Sequence, residues 1–431
     1  MKQYESYKDS GVEWIGEVPR HWEVRKIKTF SPVKRGASPR PIDDPKYFDE
    51  NGEFSWVRIA DVSASDKYLT TTTQKLSKLG SSLSVKRYPG DIFISIAGTV
   101  GKPIISSINC CIHDGFVYFP YLKNMNTEFL YYIFMSGQPY LGLGKLGTQL
   151  NLNTETIGNI YIPYPSVEVQ NLIVSYLNKK CSEIDNVISA QQKRIALLQE
   201  LKQSVITHAV TKGLNPNVEM KDSGVEWIGE VPITWEVMKT SLAFKGIGSG
   251  TTPSTSKKEY YDEDGKYWLQ TGDLNDGIIL DTCKKVSDIA IKVCNLKFYP
   301  KDSVVIAMYG ATIGKVGILG IKTATNQACC VLPANKHMIA KYTFYEFLAC
   351  KPALLVSAIG GGQPNISQDT IRKQKIAVPP IEDQKSIADY LDKKCATIDS
   401  SISKAQYQVE LLQEYKQSLI TEVVTGKCKV S

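Results

Sequence analysis

Long hydrophobic runs are missing from this sequence. Its 431 residues contain no stretch of 18 apolar residues, and the first ten, MKQYESYKDS, lack the apolar core of a signal peptide. These absences predict a cytoplasmic protein without a membrane partner. The composition, 42% hydrophobic and 22% charged, is that of an ordinary globular protein. The length exceeds that of one hydrophobic core, so we expect at least two domains.

Metal-ligand motifs are missing as well. The four histidines are scattered, and neither Cys-x-x-Cys nor His-Glu-x-x-His occurs. The ten cysteines are spread along the chain and include the adjacent pairs Cys110–Cys111 and Cys329–Cys330. They are typical of reduced, mostly buried thiols. We therefore predict no metal site.

A nucleotide-binding loop is the third absence. Gly310–Lys315 is one residue too short for the GxxxxGK pattern and is followed by Val316, and Gly98–Lys102 is shorter still. Two interpretations of these turns stay open: Lys102 and Lys315 contact a DNA phosphate at the end of a strand, or they are solvated.

An internal repeat organises what is present. Residues 8–26 and 221–239 are identical at 16 of 19 positions, and residues 176–211 and 390–425 share 21 of 36. Between these segments the two halves keep their length but diverge in sequence. The pattern indicates a fixed frame around two variable domains.

The second repeated segment predicts two long helices. Neither glycine nor proline occurs in residues 166–212 or 381–425, and each helix of roughly 44 residues would be about 66 Å long. Apolar residues recur alternately four and three residues apart, which predicts a coiled-coil seam. The seam residues are Leu177, Ile184, Ile188, Ile195, Leu198, Val205, Leu391, Ile398, Ile402, Val409, Leu412 and Leu419.

We predict an α+β fold: two globular α/β domains joined by two long helices that form an antiparallel coiled coil with pseudo-two-fold symmetry. Parallel packing is the alternative, but the intervening domain makes it less natural. Within each variable region, buried strands such as Asp91–Gly98 and short amphipathic helices such as Thr127–Met135 are expected. The predicted ranges are 1–167 and 222–380 for the domains, 168–211 and 381–425 for the helices, 212–221 for a linker and 426–431 for a tail.

Basic, hydroxyl and amide residues make DNA a candidate ligand. The net charge is +7, and residues 20–40 carry seven basic residues against one acid. Amides suit adenine and lysines suit phosphates, although capping, turn formation and plain solvation are open alternatives. The candidate DNA-binding residues are Lys34, Arg35, Arg40, Arg58, Lys102, Lys145, Gln149, Asn151, Lys245, Thr251, Lys257, Lys258, Lys315, Gln363 and Asn365.

The repeated entrance KDSGVEWIGEVP, the helix ends LLQE-KQS-IT--VT and the approach PP-E-Q at Pro379–Gln384 together resemble the specificity subunits of type I restriction-modification systems. The resemblance covers the whole chain. It implies two target recognition domains, each reading one half of a bipartite DNA sequence, with the gap set by the helices. It also implies a non-catalytic chain, and the sequence is consistent with this, since it contains no NPPY-type or FxGxG methyltransferase motif.

The same resemblance implies the partners. Double-stranded DNA, two modification subunits that methylate adenine N6 and two restriction subunits are expected. No cofactor is expected on this chain, with S-adenosylmethionine, ATP and magnesium on the partners. Two alternatives stay open: a methylation-only or fused system without a restriction subunit, and a coiled-coil scaffold that does not bind DNA.

Overall fold

The structure, a computed structural model, describes residues 3–141, 143, 152–356 and 365–430. It divides into two compact units: unit 1 contains residues 1–192 and 407–431, and unit 2 contains residues 193–406. Each unit therefore includes part of both repeated helical segments. The α+β fold class is confirmed. The predicted domain ranges, which place whole helices between the domains, stay predictions.

Within the described residues, unit 1 is built from short strands and four short α-helices that precede the first long helix. The helices are α1 (Ile59–Ala64), α2 (Lys78–Ser82), α3 (Thr127–Met135), α4 (Thr154–Asn159) and the long α5 (Val167–Lys212). The strands are β1 (Tyr7–Asp9), β2 (Glu17–Pro19), β3 (Glu23–Lys26), β4 (Lys34–Arg35), β5 (Phe54–Val57), β6 (Tyr68–Leu69), β7 (Gln74–Leu76), β8 (Val85–Arg87), β9 (Ile92–Ser95), β10 (Pro103–Ser106), β11 (Cys110–Ile112), β12 (Phe116–Tyr118) and β13 (Tyr161–Tyr164).

Unit 2 repeats this order of strands, but its short helices differ: an α-helix at Thr240–Ala243 stands where unit 1 has a 3-10 helix at Ile27–Thr29, and a 3-10 helix at Thr271–Asp273 stands in the place of α1. Its helices are α6 (Thr240–Ala243), α7 (Asp288–Val293), α8 (Ala340–Val356), α9 (Gln368–Lys373) and the long α10 (Ile381–Val424). Its strands are β14 (Met220–Asp222), β15 (Glu230–Pro232), β16 (Glu236–Lys239), β17 (Gly248–Ser249), β18 (Tyr261–Leu269), β19 (Ile278–Ile279), β20 (Lys284–Val286), β21 (Phe298–Tyr299), β22 (Val304–Ala307), β23 (Val316–Leu319), β24 (Thr323–Thr325), β25 (Cys329–Leu332) and β26 (Lys375–Val378).

The variable regions of the two units share one sheet topology. The five-stranded sheets have the orders β4-β12-β9-β10-β6 and β17-β25-β22-β23-β19, and the four-stranded sheets have the orders β7-β5-β11-β8 and β20-β18-β24-β21. The central strands β9 and β22 are buried along their whole length, because IFIS and VVIA are nearly continuous apolar runs. Two sequences that diverge almost completely therefore adopt the same fold.

The long helices α5 and α10 bury the predicted seam. Among its residues Leu177, Ile184, Leu391, Ile398 and Leu419 are buried and the others are half-buried, whereas most positions between them are exposed. Leu177 and Leu419 lie in one hydrophobic core in unit 1, and Leu391 lies in the corresponding core in unit 2. Packing of this stripe, rather than helix propensity alone, stabilises helices of such length.

The helix segments run antiparallel within each unit. In unit 1, Asp185 of α5 forms a salt bridge with Lys416 of α10 at 2.6 Å. The side chain of Tyr176 near the start of α5 also lies close enough to Cys428, after the end of α10, for the two to interact electrostatically. In unit 2, Lys202 bonds Asp399 at 2.7 Å. The end of α5 at Lys212 and Gly213 lines one cavity of about 180 Å³ with Asp383 and Ile387 at the start of α10. Rising residue numbers on one helix thus meet falling numbers on the other.

A buried glutamine fastens the start of each long helix to its own unit. Gln170 accepts the N–H of Asn126 at 2.8 Å and donates to the carbonyls of Asn124 and Pro165. Gln384 makes the same three bonds in unit 2, to Ile339, His337 and Pro379. A buried amide is tolerated because its donors and acceptor are paired. The start of each long helix is therefore fixed to the loop that leads into α3 in unit 1 or α8 in unit 2.

The repeated entrance packs a tryptophan against a glycine that follows each long helix. Trp22 and Trp235 are buried, and the glycines Gly426 and Gly213 have φ values of +77° and +75°. A Cβ at Gly426 would collide with Pro19 and approach Trp22, and one at Gly213 would press on Trp235. Glycine is required there by both the left-handed conformation and the close contact.

Eight of the ten free cysteines are buried, including Cys110, Cys111, Cys329 and Cys330.

Candidate nucleic-acid interface

A loop of unit 1 brings polar residues together at the carboxyl ends of strands β5 and β11 in the four-stranded sheet. β5 and β11 run parallel, with Val57 opposite Ile112, so the next residues, Arg58 and His113, emerge side by side. The carboxyl ends of neighbouring parallel strands are a common place for binding residues. Here the loop at residues 113–115 also receives side chains from β4 and the segment after it.

Asp114 organises the basic side chains around this loop. Its carboxylate accepts hydrogen bonds from the hydroxyl of Ser38 and from the guanidinium of Arg40, both at 3.0 Å. Arg35 donates to its backbone carbonyl. Burial acts to raise the pKa of Asp114, but the Ser38 hydrogen bond and the Arg40 charge outweigh it, so the pKa is lowered. Asp114 is therefore ionised at neutral pH and holds both arginines near the loop.

His113 is a neutral ring at the centre of the same loop. Its Nδ1 accepts the N–H of Gly115 at 2.8 Å, and the ring packs on Phe116 and Trp56. Burial is the main cause that lowers its pKa, and the charges of Arg35 and Arg58 lower it further. The proton of the neutral ring therefore lies on Nε2, which is a hydrogen-bond donor.

Arg58 differs from the other arginines of the loop. Its backbone N–H is held by the carboxylate of Asp61 at 2.8 Å, which starts α1 directly after it. Its side chain is exposed and has no hydrogen bond or ion pair within the parts of the chain that the structure describes. A fixed backbone with an untied guanidinium suits recognition of an external group. We define the unit 1 junction as Arg35, Ser38, Arg40, Arg58, His113 and Asp114.

Unit 2 has the same backbone arrangement with other side chains. Leu269 of β18 lies opposite Thr325 of β24, so Gln270 and Asn326 take the places of Arg58 and His113. Asp273 holds the N–H of Gln270 at 2.8 Å, as Asp61 holds that of Arg58. The unit 2 junction consists of Ser249, Thr252, Ser254, Gln270, Asn326 and Gln327. Its residues correspond, in this order, to those of the unit 1 junction.

The two junctions have matching backbones but side chains of different chemistry. Thr252 donates to the Gln327 amide as Ser38 donates to the Asp114 carboxylate. However, Arg35, Arg40, Arg58 and Asp114 have neutral counterparts throughout unit 2. The first junction can offer guanidinium forks to acceptors, whereas the second offers amides that both donate and accept. These are the groups that proteins use on base edges.

The candidate DNA-binding residues of unit 1 only partly converge on the junction. Arg35, Arg40 and Arg58 belong to it, and Lys34 is exposed beside Arg35 on β4, at the edge of its sheet. Lys102 instead donates to the carbonyls of Ser63 and Ser65 at the end of α1, at 3.1 and 2.6 Å. A phosphate contact by Lys102 stays a prediction and would compete with these bonds. Lys145, Gln149 and Asn151 lie outside the described residues.

In unit 2, two of the candidates reach the junction. The backbone N–H of Thr251 donates to the carbonyl of Thr325 at 3.0 Å. Asn365 forms an antiparallel β-bridge with Tyr309, and the Tyr309 side chain forms a hydrogen bond with the side chain of Gln327. Gln363 lies outside the described residues.

The lysine candidates of unit 2 lie elsewhere. Lys245 and Lys258 are exposed, and Lys257 is exposed as well but bonds the Tyr260 hydroxyl at 3.1 Å. Lys315 donates to the Leu274 carbonyl at 3.3 Å, in the same way that Lys102 closes off α1. For both of these turns the lysine is engaged by its own unit.

Sequence reasoning missed most of the polar junction residues. Ser38, His113, Asp114, Gln270, Asn326 and Gln327 were not among the candidates. One local signal could have found the Arg58 position: WVRIAD at residues 56–61 and WLQTGD at residues 268–273 share a tryptophan and an aspartate five residues apart. The aspartate marks the capping bond and so marks the residue that is three positions before it.

A family model for the type I restriction modification DNA specificity domain matches residues 19–198 and 232–410. The chain belongs to this specificity family. The specificity domain occurs twice, once for each copy of the repeated entrance. The type I restriction enzyme MjaIX specificity subunit of Methanocaldococcus jannaschii is similar to the chain, with 23% identity over 429 residues, covering 96% of this chain and 95% of that one.

Solved structures of the specificity family share the fold. A structure of a type I restriction-modification system concerned with complex assembly and conformational transition matches with a TM-score of 0.73 at 16% identity, covering 95% of this chain and 99% of that chain. The HsdS subunit of Thermoanaerobacter tengcongensis matches with a TM-score of 0.50 at 15% identity, covering 95% and 98%. At such identities the likeness concerns the fold alone.

The described residues contain neither a metal-binding cluster nor a membrane-spanning helix. No group of three or more histidine, cysteine, aspartate or glutamate side chains there could hold a metal ion. None of the helices in that part of the chain has the length and apolar character needed to cross a bilayer.

Proposed function

We propose that this specificity-family chain is the DNA-reading subunit of a type I restriction-modification complex, acting in the cytoplasm, in which each unit reads one half of a bipartite duplex sequence. The observation that carries the proposal is the pair of junctions. One backbone arrangement occurs twice and presents guanidinium groups in unit 1 and amides in unit 2. A protein that reads two different half-sites needs this combination of constant geometry and different hydrogen-bonding groups.

Four exposed lysines outside the junctions would supply the sequence-independent part of binding. Lys34 in unit 1, and Lys245, Lys257 and Lys258 in unit 2, are exposed and suit phosphates. Lys145, Gln149, Asn151 and Gln363 stay candidates from the sequence. Binding of this kind weakens steeply with salt, since each neutralised phosphate releases counterions. A scaffold that does not read DNA would lack this dependence.

The long helices would set the gap between the half-sites and dock the partners. Each helix exposes an apolar pair at the same place in the repeat: Leu197 and Leu201 on α5, with exposed fractions of 56% and 49%, and Leu411 and Tyr415 on α10, with 43% and 51%. Exposed large apolar side chains at i and i+4 form a ridge that suits a protein partner. We assign these ridges to two modification subunits, one on each.

The chemistry would belong to those partners. The modification subunits would carry S-adenosylmethionine and methylate adenine N6, and two restriction subunits would use ATP and magnesium. We infer no catalytic step for this chain. Its own part is to choose the sequence and to hold the modification subunits over it.

The test is co-expression of the chain with its modification subunit in a host whose DNA lacks N6-methyladenine, followed by mapping of that base. A methylated sequence with two specified halves and a fixed gap is expected. Exchange of one variable region for that of another family member should change one half only. Absence of methylation in the presence of an intact complex, or a change in both halves after one exchange, would refute the proposal.

A further inference from the structure

Arg58 and Gln270 occupy one backbone position in two domains of unlike sequence. Each follows the strand that pairs in parallel with β11 or β24, and each has its N–H bound 2.8 Å from an aspartate carboxylate three residues later. The same aspartates also bind the N–H of Thr73 and of Cys283, twelve and ten residues further along. The direction of both side chains is therefore set by the same backbone geometry.

The change of side chain at this position argues against a phosphate contact. Phosphates are the same in every sequence, so a residue that binds them would keep its positive charge in both domains. Here a guanidinium in unit 1 becomes a neutral amide in unit 2. Base edges do differ between half-sites, and a reader of base edges has to differ with them.

The neighbours of Arg58 leave it as the free reader of the unit 1 junction. Arg40 is bound by the Asp114 carboxylate and Arg35 by the Asp114 carbonyl, whereas the Arg58 side chain has no such partner within the described residues. The charges of Arg35 and Arg58 both lower the pKa of His113, so both guanidinium groups act on this loop. Arg58 can therefore bind a ligand without first breaking a hydrogen bond within the protein.

We propose that Arg58 reads a guanine in the half-site of unit 1 and that Gln270 reads an adenine in the half-site of unit 2. The guanidinium fork donates two hydrogen bonds to O6 and N7 of guanine, and the glutamine amide donates to N7 and accepts from N6 of adenine in the major groove. The inference rests on the proposed function and names the determinants within it. Because capping at both positions uses the backbone N–H, the side chains can be exchanged without loss of the cap.

The experiment uses the complete chain with its modification subunit and compares the wild type with R58Q, Q270R and R20Q. Arg20 is an exposed arginine of unit 1 outside the junction, and its counterpart in the repeat is Ile233, so R20Q is the matched control. Methylated sites are mapped for each protein. Binding of each complex is then measured on duplexes that differ at the single position concerned.

R58Q should change or relax one base position in one half-site, replacing a required guanine by adenine or by any base, and Q270R should do the same for an adenine in the other half. Discrimination at that position should fall about 10- to 100-fold, while R20Q keeps the wild-type sequence. An unchanged methylated sequence in both variants, or uniformly weaker binding to all duplexes as a phosphate contact would give, overturns the inference. A wild-type complex that methylates no bipartite sequence refutes the proposed function instead.

Discussion

Lys416 of α10 places its ammonium group 2.6 and 2.8 Å from the two carboxylate oxygens of Asp185 on α5. Their counterparts in the repeat, Lys202 and Asp399, form the same bond in unit 2 at 2.7 Å. Each helix thus supplies the lysine to one pair and the aspartate to the other. Shifting either helix by one turn would break both pairs, so each of the two ion pairs specifies the same antiparallel register.

These pairs should couple measurably across the helices. We expect a double-mutant cycle of D185N and K416Q to give a coupling free energy of about 0.2–1 kcal/mol, smaller at high salt because both groups are partly exposed. The measurement is thermal unfolding of the four proteins. The control is the pair Lys385 and Glu382, which lies within α10 alone and should not affect the register. A zero coupling at low salt would contradict this assignment.

Glu346 should make unit 2 sensitive to pH. It is fully buried on α8, where it accepts the N–H of Ala377 at 2.7 Å, and burial raises its pKa from 4.5 to about 8. An acid with a raised folded pKa stabilises the folded state fully below about pH 4.5, and this contribution declines up to about pH 8. Over that range the wild type should lose on the order of 5 kcal/mol relative to E346Q.

The test is the melting temperature of the wild type and E346Q at pH 5, 7 and 9, with the exposed Glu382 changed to glutamine as the control. The curve of E346Q should be the flatter one. Parallel curves for the two proteins would show that the carboxyl group is not the source of the pH dependence.

The apolar ridges should be needed for partner binding. We expect L197E with L201E to abolish binding of one modification subunit and L411E with Y415E to abolish binding of the other, because a buried carboxylate in an interface has no partner. Co-purification of the modification subunit measures this. Leu242, which is 70% exposed in unit 2 away from the long helices, gives the control L242E. Full retention of both subunits by the ridge variants would place the docking surface elsewhere.

Gly426 should be intolerant of a side chain. Its φ of +77° and the contact of its missing Cβ with Pro19 predict that G426A destabilises unit 1 by about 1–3 kcal/mol. The matched control is G272A, since nothing lies within 4 Å of a Cβ at Gly272 and its φ is not positive. Equal melting temperatures for G426A and G272A would show that Gly426 does not have this structural role.

The long helices were predictable because their signal is local. The absence of glycine and proline and the spacing of Leu177, Ile184 and Leu391 are visible along the chain, and the structure places helices there. The junctions were not predictable in the same way. Arg58 meets His113, and Gln270 meets Asn326, only through strand pairing over more than 50 residues, and no periodicity records which strands pair. Lys102 illustrates the same limit, since its carbonyl partners lie almost 40 residues earlier.

The contact of Gly426 with Pro19 and Trp22 has a consequence for biosynthesis. Unit 2 is a continuous stretch, residues 193–406, so all of its residues are synthesised before the segment that follows. Unit 1 must wait for residues 407–430, which are translated after all of unit 2. A frameshift or nonsense codon near residue 410 would therefore spoil the half of the protein that was made first and spare the half made second.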